Sequence, residues 1–370
     1  MPELVEVRTE GMVLNMGPQH PSTHGVLRLL LRLDGEVIKS CTPVIGYLHR
    51  GMEKLAEHRT YVQYPAIIDR FEYLTAMFTG VLYAMCAERI AGIEVPPRAI
   101  WMRTLMLELN RIASHLFWLG TYLLDLGANG LLFYAMRDRE LILNLFEEVC
   151  GARLLYSYAC VGGVRFDNPP SFERHVREFL KIFLDRIRDY ESIVTENPVF
   201  LERVQEVGCY SPELALQYAV SGPPLRSTGI RKDLRKDQPY LAYDQVDFAV
   251  PIGTKGDTLD RYLLRMAEMR ESLKIVEQCL DRLPDGNIRV KLPNVVKIPA
   301  GEAYLALESP RGEVGAYMVA NGTDKCYRLK LRCPSFNHVQ FLPVILLGER
   351  ISDVMAIFGS LDVILPEVDR

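Results

Sequence analysis

Leu105, Leu109, Ile112, Leu116 and Leu119 return at three- and four-residue spacing. That spacing stacks side chains on one face only if the chain is an α-helix. Similar stripes run through Leu141 to Cys150, Phe172 to Asn197 and Arg261 to Leu283. Pro284-Asp285-Gly286 stops the last of them. The pattern reads as helical from about Thr60 to Tyr218. The spacing therefore predicts a bundle of long helices. A chain of 370 residues with 49% apolar content can bury a sizeable core around it.

The flanks change period. Met12 to Met16 reads as a short strand, and Val26 to Leu33 is apolar with interspersed arginines. Asp34-Gly35 is a two-residue hairpin signal, and Glu36 to Ser40 returns. Between the first two strands lies GPQHPSTHG, Gly17 to Gly25, where prolines and glycines enforce a loop. Near the other end, Ala303 to Glu308 and Glu313 to Val319 alternate in strand fashion around Pro310-Arg311-Gly312. Cys326 to Arg332 adds a third strand, and Glu349 to Gly359 reads as a helix before a short tail. The expected fold class is α+β: a long-helix bundle core with small β elements at both ends. Its parts are a β-rich segment (1–60), a helical core (61–286) and a C-terminal segment (287–370), interleaved as one structural unit.

A net charge of −4 argues against a general nucleic-acid binder. The eight cysteines contain no CxxC pair, so reduced and mostly buried thiols are expected, not a disulfide framework or a metal site. The N-terminus lacks the apolar stretch of a secretory signal. Phe117 to Met136 is the most membrane-like stretch, but Asp125, Asn129 and three glycines interrupt it. A buried helix followed by a loop is the expectation there.

Four groups of residues could carry chemistry. His20, Ser22, Thr23 and His24 share the glycine-bounded loop; tying down a tight loop competes with ligand binding. Asp69, Arg70, Glu72 and Tyr73 mix charge with an aromatic ring at a helix start. For Glu72, capping plus a solvated turn is the stronger reading; the Tyr73 phenol can donate to a carbonyl oxygen. Asp125 sits within an apolar run and must be paired, protonated or functional. The terminal SLDVILPEVDR ends in charges; a frayed tail competes with packing through Val363, Ile364 and Leu365.

Several segments together resemble one family. GPQHPSTHGVLRL, GYLHRGMEKLAEHRTY (Gly46 to Tyr61), VPPRA (Val95 to Ala99), LLDLGA (Leu123 to Ala128) and LRSTGIRKDLRKDQPY (Leu225 to Tyr240) are similar to the D-type, quinone-reducing core subunit of respiratory complex I. FAVPIG (Phe248 to Gly253), RGEVGAYMV (Arg311 to Val319) and the terminal EVDR continue the likeness, in order, over nearly the whole chain. The resemblance implies a hydrogenase-large-subunit-like fold and a catalytic role in quinone reduction coupled to proton translocation. Nickel–iron hydrogenases hold their metal with cysteines that here fall at Ile364 and Glu367, and a histidine that falls at Arg370. The thiolates are missing, so no metal is expected in this chain.

The implied quinone residues are His24, Tyr73 and Asp125, with Thr23, Ile364 and Arg70 around them. Quinone is the implied substrate. Subunits B, C and H of the complex are the implied partners, and electrons would come from an iron–sulfur cluster on the first of them. The implied location is the cytoplasmic face of the bacterial membrane, peripheral and without a span. NADH and ferredoxin both stay open as donors, as does the type of quinone. Two departures stand out. The segment from Asn287 to Ala300 is shorter than in many relatives, and Val363 and Pro366 replace the more usual proline and glycine. They bear on the pocket wall and on the contact to a neighbouring subunit.

Overall fold

The computed structural model describes residues 11–19 and 26–370. Strands β1 (Met12–Met16), β2 (Arg28–Asp34) and β3 (Val37–Val44) form an antiparallel sheet in chain order. Asp34 pairs with Val37, which leaves a two-residue turn at Gly35-Glu36. Leu29, Leu31 and Leu33 alternate into the core from β2, while the side chain of Arg32 is exposed.

The helical middle follows: α1 (Met52–His58), α2 (Pro65–Ile68), a 3-10 turn (Tyr73–Thr75), α3 (Ala76–Ala91), α4 (Pro97–Asp125) and α5 (Asn129–Cys150). Next come a two-residue hairpin, β4 (Ala159–Cys160) with β5 (Gly163–Val164), and α6 (Phe172–Tyr190), extended by a π-helical turn (Glu191–Thr195). Short helices α7 (Pro198–Val204), α8 (Pro212–Gln217), α9 (Pro223–Arg226) and α10 (Leu234–Asp237) lead to the long α11 (Thr258–Asp281). Strands β6 (Gly301–Ser309), β7 (Gly312–Ala320) and β8 (Cys326–Arg332) form a second antiparallel sheet. Helices α12 (Pro334–Ile345), α13 (Val354–Ser360) and α14 (Leu365–Asp369) complete the chain. The architecture is α+β.

Helix α4 is apolar round most of its circumference, so it is buried among α3, α5, α11 and α13. Its buried charges are paired, as burial requires. Arg103 holds Glu88 with two hydrogen bonds of 2.9 and 2.6 Å. Glu108 accepts from the Tyr243 and Ser272 hydroxyls, each at 2.6 Å, and His115 meets Glu268 at 2.9 Å. By contrast α6 is two-faced, burying Phe172, Val176, Phe179, Phe183 and Ile187 along one stripe. A second core joins the N-terminal sheet to α12, α13 and the C-terminal segment.

Three expectations need correction. The stretch between α5 and α6 is not helical: Gly151, at φ +69°, ends α5 by donating to Glu147 O, and Gly162, Gly163 and Pro169-Pro170 prevent a restart. The expected helix at Glu349 to Gly359 is a 3-10 turn (Ile351–Asp353) followed by α13. Helix α12 had no counterpart in the reading of the sequence. In Phe117 to Met136 a break does fall between α4 and α5, but it is only three residues long, and Asn129 to Met136 begins α5 where a loop was expected. No helix among the described residues is long and apolar enough to cross a membrane.

Candidate functional site

The 3-10 turn, the tip of the β6–β7 hairpin and the C-terminal segment meet at one corner. Backbone geometry drives this meeting. A Cβ on Gly312 would stand 2.5 Å from Ser221 Oγ, and one on Gly222 would stand 2.5 Å from Gly312 Cα. Only two glycines allow the hairpin tip to press so closely on the start of α9. The contact drives the turn residue Arg311 inward, where it is 1% exposed. Its Nη2 donates to Asp362 Oδ1 at 3.2 Å, and its Nη1 lies 3.4 Å from Glu72 Oε1.

Glu72 caps the 3-10 turn by accepting from the Leu74 N–H at 3.2 Å. The capping expectation holds, but the solvated one does not: Glu72 is 2% exposed, and burial pushes its carboxyl pKa up. Asn110 of α4 fixes the same turn by donating to Leu74 O at 2.9 Å. Tyr73 is thereby held half-buried. Burial first, then the Glu72 carboxylate, raise its phenol above the ordinary range, while Arg311 and Arg139 act in the opposite direction.

The C-terminal segment is tied down, which overturns the frayed-tail alternative. Asp369 accepts from the N–H groups of Gly46 and Leu48, each at 2.7 Å, and His49 Nδ1 meets Asp369 O at 2.7 Å. Ile364 is buried, and its N–H donates to Ser335 Oγ at 3.2 Å. The same Ser335 hydroxyl donates to Glu367. Burial, and next the charge of Glu72, push the Glu367 carboxyl up to about 8. Both act against its ionised form. Asp362 takes a left-handed backbone, φ +54°, which turns the chain beneath Arg311.

Asp125 is the last residue of α4 and is partly buried; desolvation raises its carboxyl to about 6. On α4 it stands well beyond Asn110, the residue that fixes the Tyr73 turn. The Arg139 guanidinium, one of the charges acting on Tyr73, sits 5.5 Å from the Phe117 ring. Asp125 follows Phe117 by eight residues, roughly 12 Å of helix. Arg70 is exposed at the end of α2; its carbonyl accepts from Arg50 at 2.6 Å, and its guanidinium donates to Ala66 O. His24 and Thr23 lie outside the described residues. The structure thus joins Tyr73 to the segment carrying Ile364, and places Asp125 and Arg70 at two other edges.

Arg311, Asp362, Glu72 and Glu367 were not singled out from the sequence as one group. Each stood in a segment already marked as unusual, but the marked segments were about 50 to 290 positions apart. Arg265 and His338 lie behind the same group, fully buried; burial lowers them to about 10 and about 3. Such a cluster can hold a proton on a carboxyl and a positive charge on a guanidinium beside a phenol donor. That is suited to a ligand whose oxygens become basic when it gains electrons.

A family model described as "Respiratory-chain NADH dehydrogenase, 49 Kd subunit" matches residues 125–297 and 291–370. The chain is similar to the D-type subunit of the NADH-quinone oxidoreductase of Bacillus cytotoxicus, with 49% identity over 364 residues, 98% of this chain and 100% of that protein. The proteins of the same description from Bacillus cereus and Geobacillus thermodenitrificans are 50% and 51% identical over the same shares.

Proposed function

Since the chain belongs to the family of the 49 Kd, or D-type, subunit of NADH-quinone oxidoreductase, respiratory complex I, we propose that it forms the site where quinone is reduced. Tyr73 and His24 each hydrogen-bond one carbonyl oxygen of the headgroup, with Thr23 beside His24, and Ile364 forms an apolar wall. Reduction takes two electrons and two protons per quinone. The electrons arrive singly from an iron–sulfur cluster in a neighbouring subunit, on the side marked by Arg70. As charge builds on each oxygen, Tyr73 Oη and His24 yield the two protons, and water restores them. Asp125 orients His24 and balances its cationic form. Loss of that proton changes the charge between them, which starts the signal to the proton pump in the membrane arm.

On this reading the fold is hydrogenase-large-subunit-like, and quinone takes the place of a metal centre whose ligands are here Ile364, Glu367 and Arg370. Subunits B, C and H are the neighbours, the first of them carrying the cluster, and the chain lies at the cytoplasmic face of the membrane. The observation that carries the proposal is the Tyr73 phenol, half-buried at the corner where Arg311 and the C-terminal segment meet. Tyr73→Phe keeps the ring and removes the donor. In the assembled complex it is expected to slow inhibitor-sensitive quinone reduction about 10²-fold, the usual contribution of a positioned acid, with normal assembly. Wild-type turnover in that variant would overturn the assignment.

A further inference from the structure

A cavity of about 510 Å³ lies apart from the Tyr73 corner, between the loop after α1, the β4–β5 hairpin and the segment from Arg289 to Val296. Its floor is built rigidly. The buried Arg103 Nη2 donates to Cys160 O at 3.0 Å and to Gly163 O at 2.8 Å, and Glu88 accepts from the Gly162 N–H at 2.7 Å. The ion pair of α3 and α4 thus clamps the hairpin. The hairpin in turn clamps the segment: Val164 N donates to Ile288 O at 3.0 Å, and Val290 N to Gly162 O at 2.9 Å. A Cβ on Gly163 would stand 2.2 Å from Ile288 O, so the approach needs glycine.

The charge of this cavity runs against that of the chain. Arg165, Arg289 and Lys291 line it, and no carboxylate does, although the net charge is −4. None of the three takes part in an ion pair among the described residues. Nearby acids have other partners: Asp69, on which the Arg165 charge also acts, accepts from the Ser157 N–H at 2.6 Å, Asp167 pairs with Arg98, and Glu88 is held by Arg103. Of the lining residues, Val62 and Phe166 are 50% and 43% exposed, and Val295, between the lining residues Asn294 and Val296, is 57% exposed. Beyond Val290, the N–H groups of Lys291, Leu292, Asn294, Val295, Val296 and Lys297 find no hydrogen-bond partner among the described residues, Pro293 has none to give, and the chain bends at Asn294 and Val295. A cationic, partly apolar trough fits one type of guest, an extended acidic peptide. The carboxylates of such a peptide meet the cations, and its apolar side chains meet the exposed apolar residues beside them.

We propose that this cavity docks an extended, acidic segment of another subunit of the oxidoreductase. The site is separate from the quinone site and uses the stretch after α11 as its edge. Charge complementarity picks the occupant. A lipid, a second copy of this chain or a segment of the chain itself are the outcomes against it.

The test places a photo-crosslinking phenylalanine derivative at Val295, and separately at Phe166, in the assembled complex. Irradiated products are identified by peptide mass spectrometry. Both positions are expected to capture one and the same segment of another subunit, rich in Asp and Glu. Adding R165E, R289E and K291E together is expected to lower that yield about tenfold or more. Capture of lipid, of this chain, of a segment without acidic residues, or of nothing would overturn the proposal. So would an undiminished yield after charge reversal. The map with wild-type charges decides the matter even if the triple variant does not assemble. Quinone reduction is measured in the same preparations, so absent capture with normal turnover counts against the docking groove alone.

Discussion

Glu367 faces Glu72 and Asp362 on one side and Arg311 and the Ser335 hydroxyl on the other, with no water-exposed surface to relax into. Its folded pKa, about 8, lies above that of the unfolded chain. The fold therefore binds this proton more tightly than the unfolded chain does. Its contribution is fully present below the ordinary glutamate range and is lost as pH rises through 8. Glu367→Gln keeps a neutral side chain of the same shape. Thermal inactivation of the assembled complex between pH 6.5 and 8.5 is expected to depend less on pH in that variant than in wild type. An unchanged slope would show that Glu367 is already ionised. Asp125 makes a different prediction; burial pushes its carboxyl up to about 6. Asp125→Asn cannot balance a histidine cation, so quinone reduction and proton pumping are expected to fall together. Wild-type rates for both would remove Asp125 from the coupling scheme. Of these groups, Tyr73, Asp125 and Ile364 were singled out because a family likeness pointed at them, and the structure brings Tyr73 and the segment of Ile364, but not Asp125, to one corner. The Arg311–Asp362–Glu72–Glu367 cluster was not, because nothing local in a sequence says which charged residues a fold will bury together.

Helix α13 rests on α4 through a point where a side chain has no room. Trp118 Nε1 donates to Gly359 O at 2.7 Å, and a Cβ on Gly359 would stand 2.8 Å from Tyr122 Cδ2. Gly359→Ala is expected to cost about 1–3 kcal/mol by overpacking. Gly130→Ala, in the first turn of α5 with no atom within 4 Å of the added Cβ, is the control and is expected to be neutral or slightly stabilising. Comparing thermal inactivation of the two variants checks this; equal stabilities would mean that α13 moves aside freely. Elements were legible where period and contrast agreed. Helix α6 shows one apolar stripe against charges, and β2 alternates cleanly. Helix α12 escaped notice because it is apolar nearly all round and carries prolines at both Pro334 and Pro343, so neither period nor breakers marked it as helix. The C-terminal turn α14 is too short to have a period at all. Its order comes from Ser335, Gly46, Leu48 and His49, contacts that span 32 to 323 positions.

Across the molecule, the two ends of the chain close on each other. The N-terminal sheet and the C-terminal segment share one core, and Asp369 is bound by the backbone of Gly46 and Leu48. Strand β2 and the segment bearing Ile364 therefore share one core, with the Tyr73 turn between the helical bundle and the C-terminal sheet. The family likeness concerns the whole chain, whereas the proposed chemistry depends on this one corner. A photoreactive quinone bound to the assembled complex tests that dependence most directly, with labelled peptides located by mass spectrometry and an inhibitor of quinone reduction as competitor. Inhibitor-sensitive label on the peptide containing Tyr73 and on the C-terminal peptide containing Ile364 is the predicted result. Inhibitor-sensitive label confined to other subunits, with none on either peptide, would contradict it.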